Sequence, residues 1–422
     1  AVEKGRRQFV NYELARDRAS FIKTKVLNEL PSYLNEFERN FKKNGGQVLW
    51  AEHAEDAVQF ILSILKDHGA NLVVKSKSMT TEEISLNENL QKTGIESVET
   101  DLGEYIVQIA GEKPYHIVTP AMHKSKEDIA SLFARKFGLP EQSTPGQITT
   151  FVRKKLREKF LKADAGITGA NFLLADTGSI ALTENEGNGI LSLTFPKIHI
   201  AIAGIEKVIP SINDLKLFWP LLASSGTGQK HTAYSSIISG PRSKTENSGP
   251  DKMYVILLDN GRTELLKQEQ QRKALKCIRC GACLNACPVY RNIGGYTYAS
   301  VYSGPLGSVI TPFLKNFKKY NHLSFACTLC GRCSDKCPVK IDIHNLLLYN
   351  RARAVEQKYT NFSERMGMKS YKVVVTNRAL MNFGKPWIKN AALRTFAGKT
   401  WGPRRELPSI KKSFASQWKN LQ

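Results

Sequence analysis

An α/β sheet domain followed by a smaller, helical, cysteine-bearing module is the fold class that this sequence predicts. Two observations carry it. Across residues 46–262, short apolar runs of strand length alternate with stretches of helical period, which argues for a sheet with helices on both faces. Beyond that point, all eight cysteines fall in two short windows, 277–287 and 327–337. The 422 residues, 41% hydrophobic and 23% charged, suffice for two or three domains and exclude global disorder. No apolar run approaches the roughly 18 residues of a membrane span. The N-terminus also lacks the apolar stretch of a secretory signal.

Residues 1–45 read as a helical segment. In the α/β region, Ala54, Ala57, Val58, Ile61, Leu62 and Leu65 recur at helical spacing and stop at Gly69. Strands are expected at Leu72–Val74, Tyr105–Ile109, His116–Val118, Phe172–Ala175, Ser179–Leu182, Ile198–Ala203 and Tyr254–Leu258. Helices are expected at Lys126–Phe137, Ile148–Leu161 and Ile212–Ala223. Core formation accounts for most of these apolar positions.

The cysteine windows of the next segment, 263–355, are its strongest signal. Both read C-x-x-C-x-x-C-x-x-x-C-P: Cys277, Cys280, Cys283, Cys287-Pro288, and 50 positions later Cys327, Cys330, Cys333, Cys337-Pro338. Three thiolates within seven residues can wrap one iron–sulfur cube, with Gly281 or Gly331 easing the tight loop. In two-cluster ferredoxins the fourth cysteine ligates the other cluster. By that rule Cys277, Cys280, Cys283 and Cys337 hold one [4Fe–4S] cluster, and Cys327, Cys330, Cys333 and Cys287 hold a second. Structural zinc is the competing reading, but zinc sites have no use for a duplicated third cysteine followed by Cys-Pro. The 39 residues between the windows, with the helical stretch after Cys337, exceed a compact bacterial ferredoxin. They resemble the α-helical ferredoxin module of succinate dehydrogenase, anaerobic glycerol-3-phosphate dehydrogenase and heterodisulfide reductase subunits, which conducts electrons.

Polar, Gly-rich turns at strand ends are the candidate ligand site: 75–79, 175–179 and 184–189. Ligands collect at the carboxyl ends of strands in open α/β sheets, and Lys75 and Lys77 beside these turns would favour a carboxylate or phosphate. Turn chemistry alone explains many of the same residues. G-x-G-x-x-G and P-loop motifs are absent, which argues against a dinucleotide or P-loop site. His116 and His123 flank a strand end and read as hydrogen-bonded structural histidines before proton-transfer groups. No catalytic residue is identified.

Lys and Arg number 61 against 38 Asp and Glu, a net charge of +23. The C-terminal region, 356–422, is the most basic: between 351 and 422 there are sixteen basic residues and three acidic ones, with Trp387, Trp401 and Trp418 among them. Docking on a partner or a lipid headgroup layer is favoured slightly over pure solvation. Nucleic acid is not the expected partner.

Taken together, Lys75-Ser-Lys-Ser-Met-Thr-Thr-Glu-Glu-Ile84, Val98-Glu-Thr-Asp-Leu-Gly-Glu-Tyr-Ile106, Ala175-Asp-Thr-Gly-Ser179 and Asn185-Glu-Gly-Asn-Gly189 resemble the LUD domain of the lactate utilization protein B family. In that family a dicluster ferredoxin module follows, as Cys277 through Pro338 do here. Gly402-Pro403 with Leu407-Pro408 is similar to its short C-terminal region. The resemblance runs from about Asn28 to the end, over a shorter N-terminus than is usual. It implies a LUD fold related to the ribose-5-phosphate isomerase and CoA-transferase class, and a cytoplasmic three-protein complex that oxidises L-lactate to pyruvate. The implied partners are a cysteine-rich CCG-type subunit and a smaller LUD-domain subunit. On this reading the chain is the iron–sulfur electron-transfer subunit. Lys75, Thr177, Gly178, Ser179 and Asn188 are its tentative carboxylate-binding residues. The alternatives are an iron–sulfur subunit of another quinone-linked organic-acid oxidoreductase, or a cluster-bearing scaffold with no catalytic role.

Overall fold

The computed structural model describes residues 1–116, 119–401 and 406–418. They form two compact units, residues 1–353 and 354–422. Among the described residues of the first unit, ten strands build two sheets. The strands are β1 (Gln47–Ala51), β2 (Leu72–Lys75), β3 (Glu96–Glu99), β4 (Ala165–Gly169), β5 (Phe172–Leu174), β6 (Ser179–Glu184), β7 (Ile198–Gly204), β8 (Val208–Ile209), β9 (Tyr234–Ile238) and β10 (Lys252–Leu258).

The larger sheet is parallel throughout, in the order β1-β10-β7-β4-β2-β3. Parallel strands buried on both faces read as near-continuous apolar runs, and β7 and β10 show why. Tyr254, Ile256 and Leu258 pack with Ala57, Ile61 and Leu65 of helix Ala54–Asp67 on one face. Met253, Val255 and Leu257 pack with Leu34, Phe37 and Phe41 of helix Leu30–Lys43 on the other. The smaller sheet runs β8-β5-β6-β9. Its β5–β6 turn is tied to helix Leu30–Lys43: Asn40 Nδ2 donates to the Ala175 carbonyl at 2.8 Å, and Asn44 Nδ2 to that of Thr177 at 2.9 Å. Gly178 sits there at φ +59°, and a Cβ would lie 2.2 Å from the Phe41 nitrogen, so only glycine fits.

One expectation changes, and another falls partly outside the described residues. Tyr105–Ile109 is not a strand but part of helix Leu102–Ala110, capped by Asp101, whose carboxylate accepts from the Gly103 and Glu104 amides, and closed by Gly111 at φ +72°. The His116–Val118 run reaches Ile117 and Val118, which lie outside the described residues, as do Gly402 and Pro403.

From Arg262 to Arg353 the described residues form helices and loops without a strand. Helix Gly304–Leu314 is almost wholly buried. Its Leu306, Val309 and Ile310 share one core with Phe172, Leu174 and Phe218 of the α/β part and with Ile341 and Leu346 near the second cysteine window. The second unit carries helices Phe362–Thr376, Arg378–Asn382, Pro386–Trp401 and Phe414–Trp418, with Trp387, Trp401 and Trp418 exposed. No helix among the described residues is long and apolar enough to cross a membrane.

Candidate functional site

The duplicated cysteine windows share a backbone. Arg279 and Gly281 adopt φ of +60° and +78°, and 50 residues later Leu329 and Gly331 adopt +55° and +77°. A left-handed residue without glycine's freedom is uncommon, and here it occurs twice at the same place. This twist aims amides at sulfur. Arg279 N donates to Cys277 Sγ and Leu329 N to Cys327 Sγ, both at 3.3 Å. The fourth cysteines accept likewise, Cys287 Sγ from Tyr290 N at 3.4 Å and Cys337 Sγ from Ile341 N at 3.3 Å.

The thiols fall into two electrostatic groups. Burial, then Cys277 and Cys337, push the Cys280 thiol up. Burial, then Cys277, Cys280 and Cys337, do the same at Cys283. In the other group burial raises Cys287, which also faces Cys327 and Cys330. Cys333 is pushed up to about 12 by burial, then by Cys327, with Cys287 acting on it too. Such thiols cannot ionise side by side unless something positive sits among them, and bound iron supplies that charge. The donor set therefore fits an iron–sulfur group. The groups differ in exposure: Cys280 is buried, whereas Cys330 is exposed and its thiol is lowered, chiefly by the Arg332 amide.

Cations crowd the first window. Glu206 accepts from Arg262 Nε at 2.6 Å and lies 3.3 Å from Arg279 Nη2. Burial alone would raise its carboxyl, but the two guanidiniums outweigh it and hold it at about 2. Arg262 forks onto Glu83 at 2.9 and 2.8 Å, and the Tyr302 hydroxyl donates to the same carboxylate. The Arg279 guanidinium stacks 4.4 Å from the Tyr302 ring centre. Among the described residues Lys23 donates to backbone carbonyls alone, those of Glu206 and Val208, and burial drops its ammonium to about 8. Lys207 is lowered to about 8 by burial and then by Arg279, while Cys277 draws its charge the other way.

A cavity of about 460 Å³ opens between this window and the carboxyl ends of the parallel strands. The chain leaves β2 at Ser76–Lys77, β3 near Asp101, β4 at Ala170–Asn171 and β7 at Glu206–Lys207, and all of these line it. The opposite wall is Cys277, Arg279, Cys280 and Cys283 with Ser303 and Leu306.

A family model described as LUD domain matches residues 34–258, and one described as 4Fe-4S dicluster domain matches residues 273–341. Lactate utilization protein B of Shouchella clausii is 42% identical over 419 residues, covering 97% of this chain and 88% of that protein. Those of Bacillus licheniformis and Bacillus subtilis are each 41% identical over 421 residues, with the same coverage. The chain belongs to the lactate utilization protein B family. A solved structure of a DUF162 family protein from Deinococcus radiodurans covers 54% of this chain and 98% of its own, at 14% identity and a TM-score of 0.32.

Within the LUD domain, the five residues expected to bind a carboxylate do not converge. Asn188 lines the cavity, its amide between Glu184 and Thr100. Lys75 does not. It is fully buried, 2.7 Å from Glu99 and 3.4 Å from Glu82, and donates to Thr81 Oγ1 at 2.9 Å. Burial works against its charge, but those carboxylates outweigh it and raise its pKa above the usual lysine range, so it is a satisfied core cation. Thr177, Gly178 and Ser179 belong to the turn docked on helix Leu30–Lys43, and none of them lines the cavity. His116 is buried beside Tyr290, with ring centres 5.8 Å apart, and accepts from the Thr119 amide; burial, then Lys77, lower its pKa. His123 lies 2.7 Å from Glu112.

The sequence reading missed Asp101, Glu206, Lys207 and Arg279. A charged Glu-Lys pair one residue beyond the all-buried strand β7 was the available signal. Another was an arginine in the first window where the second has Leu329.

Proposed function

We propose that this chain is the iron–sulfur electron-transfer component of a complex that oxidises L-lactate to pyruvate. Cys277, Cys280, Cys283 and Cys337 would hold one [4Fe–4S] cluster, and Cys327, Cys330, Cys333 and Cys287 the other. The grouping of the thiols carries the reading: each window contributes three members to one group and lends its fourth to the other. When bound, the clusters supply one-electron relay through the module.

The chain's own residues shape that relay. Amides of Arg279, Leu329, Tyr290 and Ile341 donate to the cysteine sulfurs and offset their negative charge. Arg279 ties the first window to Glu206 of the LUD domain, so the donors on the cavity side are held against the strand ends. The first window lines the cavity and the second exposes Cys330, so a cluster held by the first would lie on the cavity side and one held by the second nearer the surface. The family resemblance supports a cytoplasmic assembly with a cysteine-rich CCG-type subunit and a smaller LUD-domain subunit. It likewise supports kinship of the LUD fold with ribose-5-phosphate isomerases and CoA-transferases.

The test is an anaerobic preparation of the chain with those two partners. Roughly eight irons with matching sulfide per chain are expected, with cluster reduction seen by EPR on adding L-lactate. Zinc in place of iron, or full clusters that L-lactate leaves oxidised, would refute the reading.

A further inference from the structure

Most charged groups on the cavity wall already have partners. Asp101 accepts from the Gly103 and Glu104 amides and from Lys77 at 2.9 Å. Glu184 accepts from Gly189 N at 2.6 Å and Ile190 N at 2.9 Å. Glu206 is held by Arg262 and Arg279. Glu186 accepts from the Leu102 amide at 3.2 Å. Among the cations, Lys77 is paired with Asp101, and Arg279 with Glu206 and the Tyr302 ring. Lys207 is different: among the described residues no hydrogen bond or ion pair engages its ammonium, although it lines the cavity beside Cys277. Neutral donors on the cavity lining are also unspent among the described residues. The hydroxyl of Ser76 is one, and the amide nitrogen of Asn171, whose oxygen is taken by Thr183 N, is another.

We infer that this cavity binds a small 2-hydroxy carboxylate, with its carboxylate on Lys207 and its hydroxyl within the Ser76 and Asn171 donor set. The inference rests on the proposed function above and names the ligand's seat within it. One unpaired cation beside neutral hydrogen-bonding groups matches one carboxylate and one hydroxyl. A phosphate matches poorly, because a second negative charge would meet four carboxylates on the wall with no second open cation. The seat lies on the LUD side of the first cysteine window, so a bound acid would sit beside the cysteines that would hold the first cluster. The inference concerns binding alone.

The experiment uses the full chain with its clusters assembled anaerobically, with radiolabelled L-lactate in equilibrium dialysis. Saturable binding is expected, with lactamide and inorganic phosphate competing about tenfold less well or worse. Lys207→Gln is expected to weaken L-lactate binding by about tenfold or more, and Lys207→Arg to keep most of it, with iron content and the dithionite-reduced EPR signal unchanged. Should Lys207→Gln lose its iron, Ser76→Ala gives an independent reading from a strand end, with a loss of about threefold to tenfold expected. L-lactate bound equally by Lys207→Gln, or lactamide bound as well as L-lactate, overturns the inference and leaves Lys207 as a counter-charge to the cysteines. No binding to a chain with its full iron also overturns it, while the electron-transfer reading stands. A chain that assembles no clusters refutes that reading instead.

Discussion

His199 is a residue whose environment has room for only one protonation state. It lies in the middle of the parallel sheet, fully buried, with Nε2 at 2.9 Å from Thr168 Oγ1 and Nδ1 without a partner among the described residues. Burial lowers its pKa from the ordinary 6.5 to about 3. The unfolded chain takes up this proton near 6.5 and the folded chain does not. Stability is therefore complete above about pH 6.5 and falls by about 1.4 kcal/mol per pH unit as the pH drops from there toward 3. Urea midpoints of the holo chain at pH 7.5 and pH 5 would be compared with those of His199→Gln. The native chain should lose about 2 kcal/mol more than the variant over that span. Parallel loss in both would show that other groups set the acid limit.

At the scale of elements, composition made some parts readable and geometry hid others. The helix Ala54–Asp67 announces itself through Ala57, Val58, Ile61 and Leu65 on one face, and β7 and β10 through runs that only a doubly covered strand can afford. Helix Leu102–Ala110 was misread because Tyr105, Ile106, Val107 and Ile109 suit a strand as well; its caps, Asp101 and Gly111, were the deciding signal. Strand β3, Glu96-Ser-Val-Glu, is too short and too polar to stand out. The cysteine windows were legible because ligand spacing is local. The cavity was not, since Lys207 and Cys277 meet only after the chain has folded. The two windows also offer a matched pair of substitutions. Leu329→Gly keeps the left-handed turn and should change stability by less than about 1 kcal/mol. Arg279→Gly keeps the same backbone but strips the buried Glu206 of one partner and Tyr302 of its stacked cation. It should cost about 2–3 kcal/mol. Thermal unfolding of both holo variants would separate them, and equal shifts would mean that the turn alone matters.

Across the first unit, the join between the LUD domain and the cysteine module is a core, not a linker. The sequence suggests a boundary near residue 262, but Phe172, Leu174 and Phe218 on one side and Leu275, Ile278, Leu306 and Ile341 on the other belong to one buried cluster. Polar contacts cross the same join. Arg262 binds Glu83 and Glu206, and Arg16 donates to the carbonyls of Cys337 and Asp335, both at 2.9 Å. Helix Leu215–Gly226 approaches so closely that a Cβ at Gly226 would lie 2.9 Å from the Cys280 carbonyl. A module sharing its core with a sheet cannot open without exposing that sheet's apolar face to water. Calorimetry of the full chain should therefore show residues 1–353 unfolding in one transition. Anaerobic removal of iron should move that whole transition to lower temperature, because a group bound only by the folded state stabilises everything that unfolds with it. A transition for the LUD domain that stays put while a second, iron-dependent one shifts would show that the two parts fold independently. The tie between the ligand cavity and the first cysteine window would then be looser than their shared packing implies.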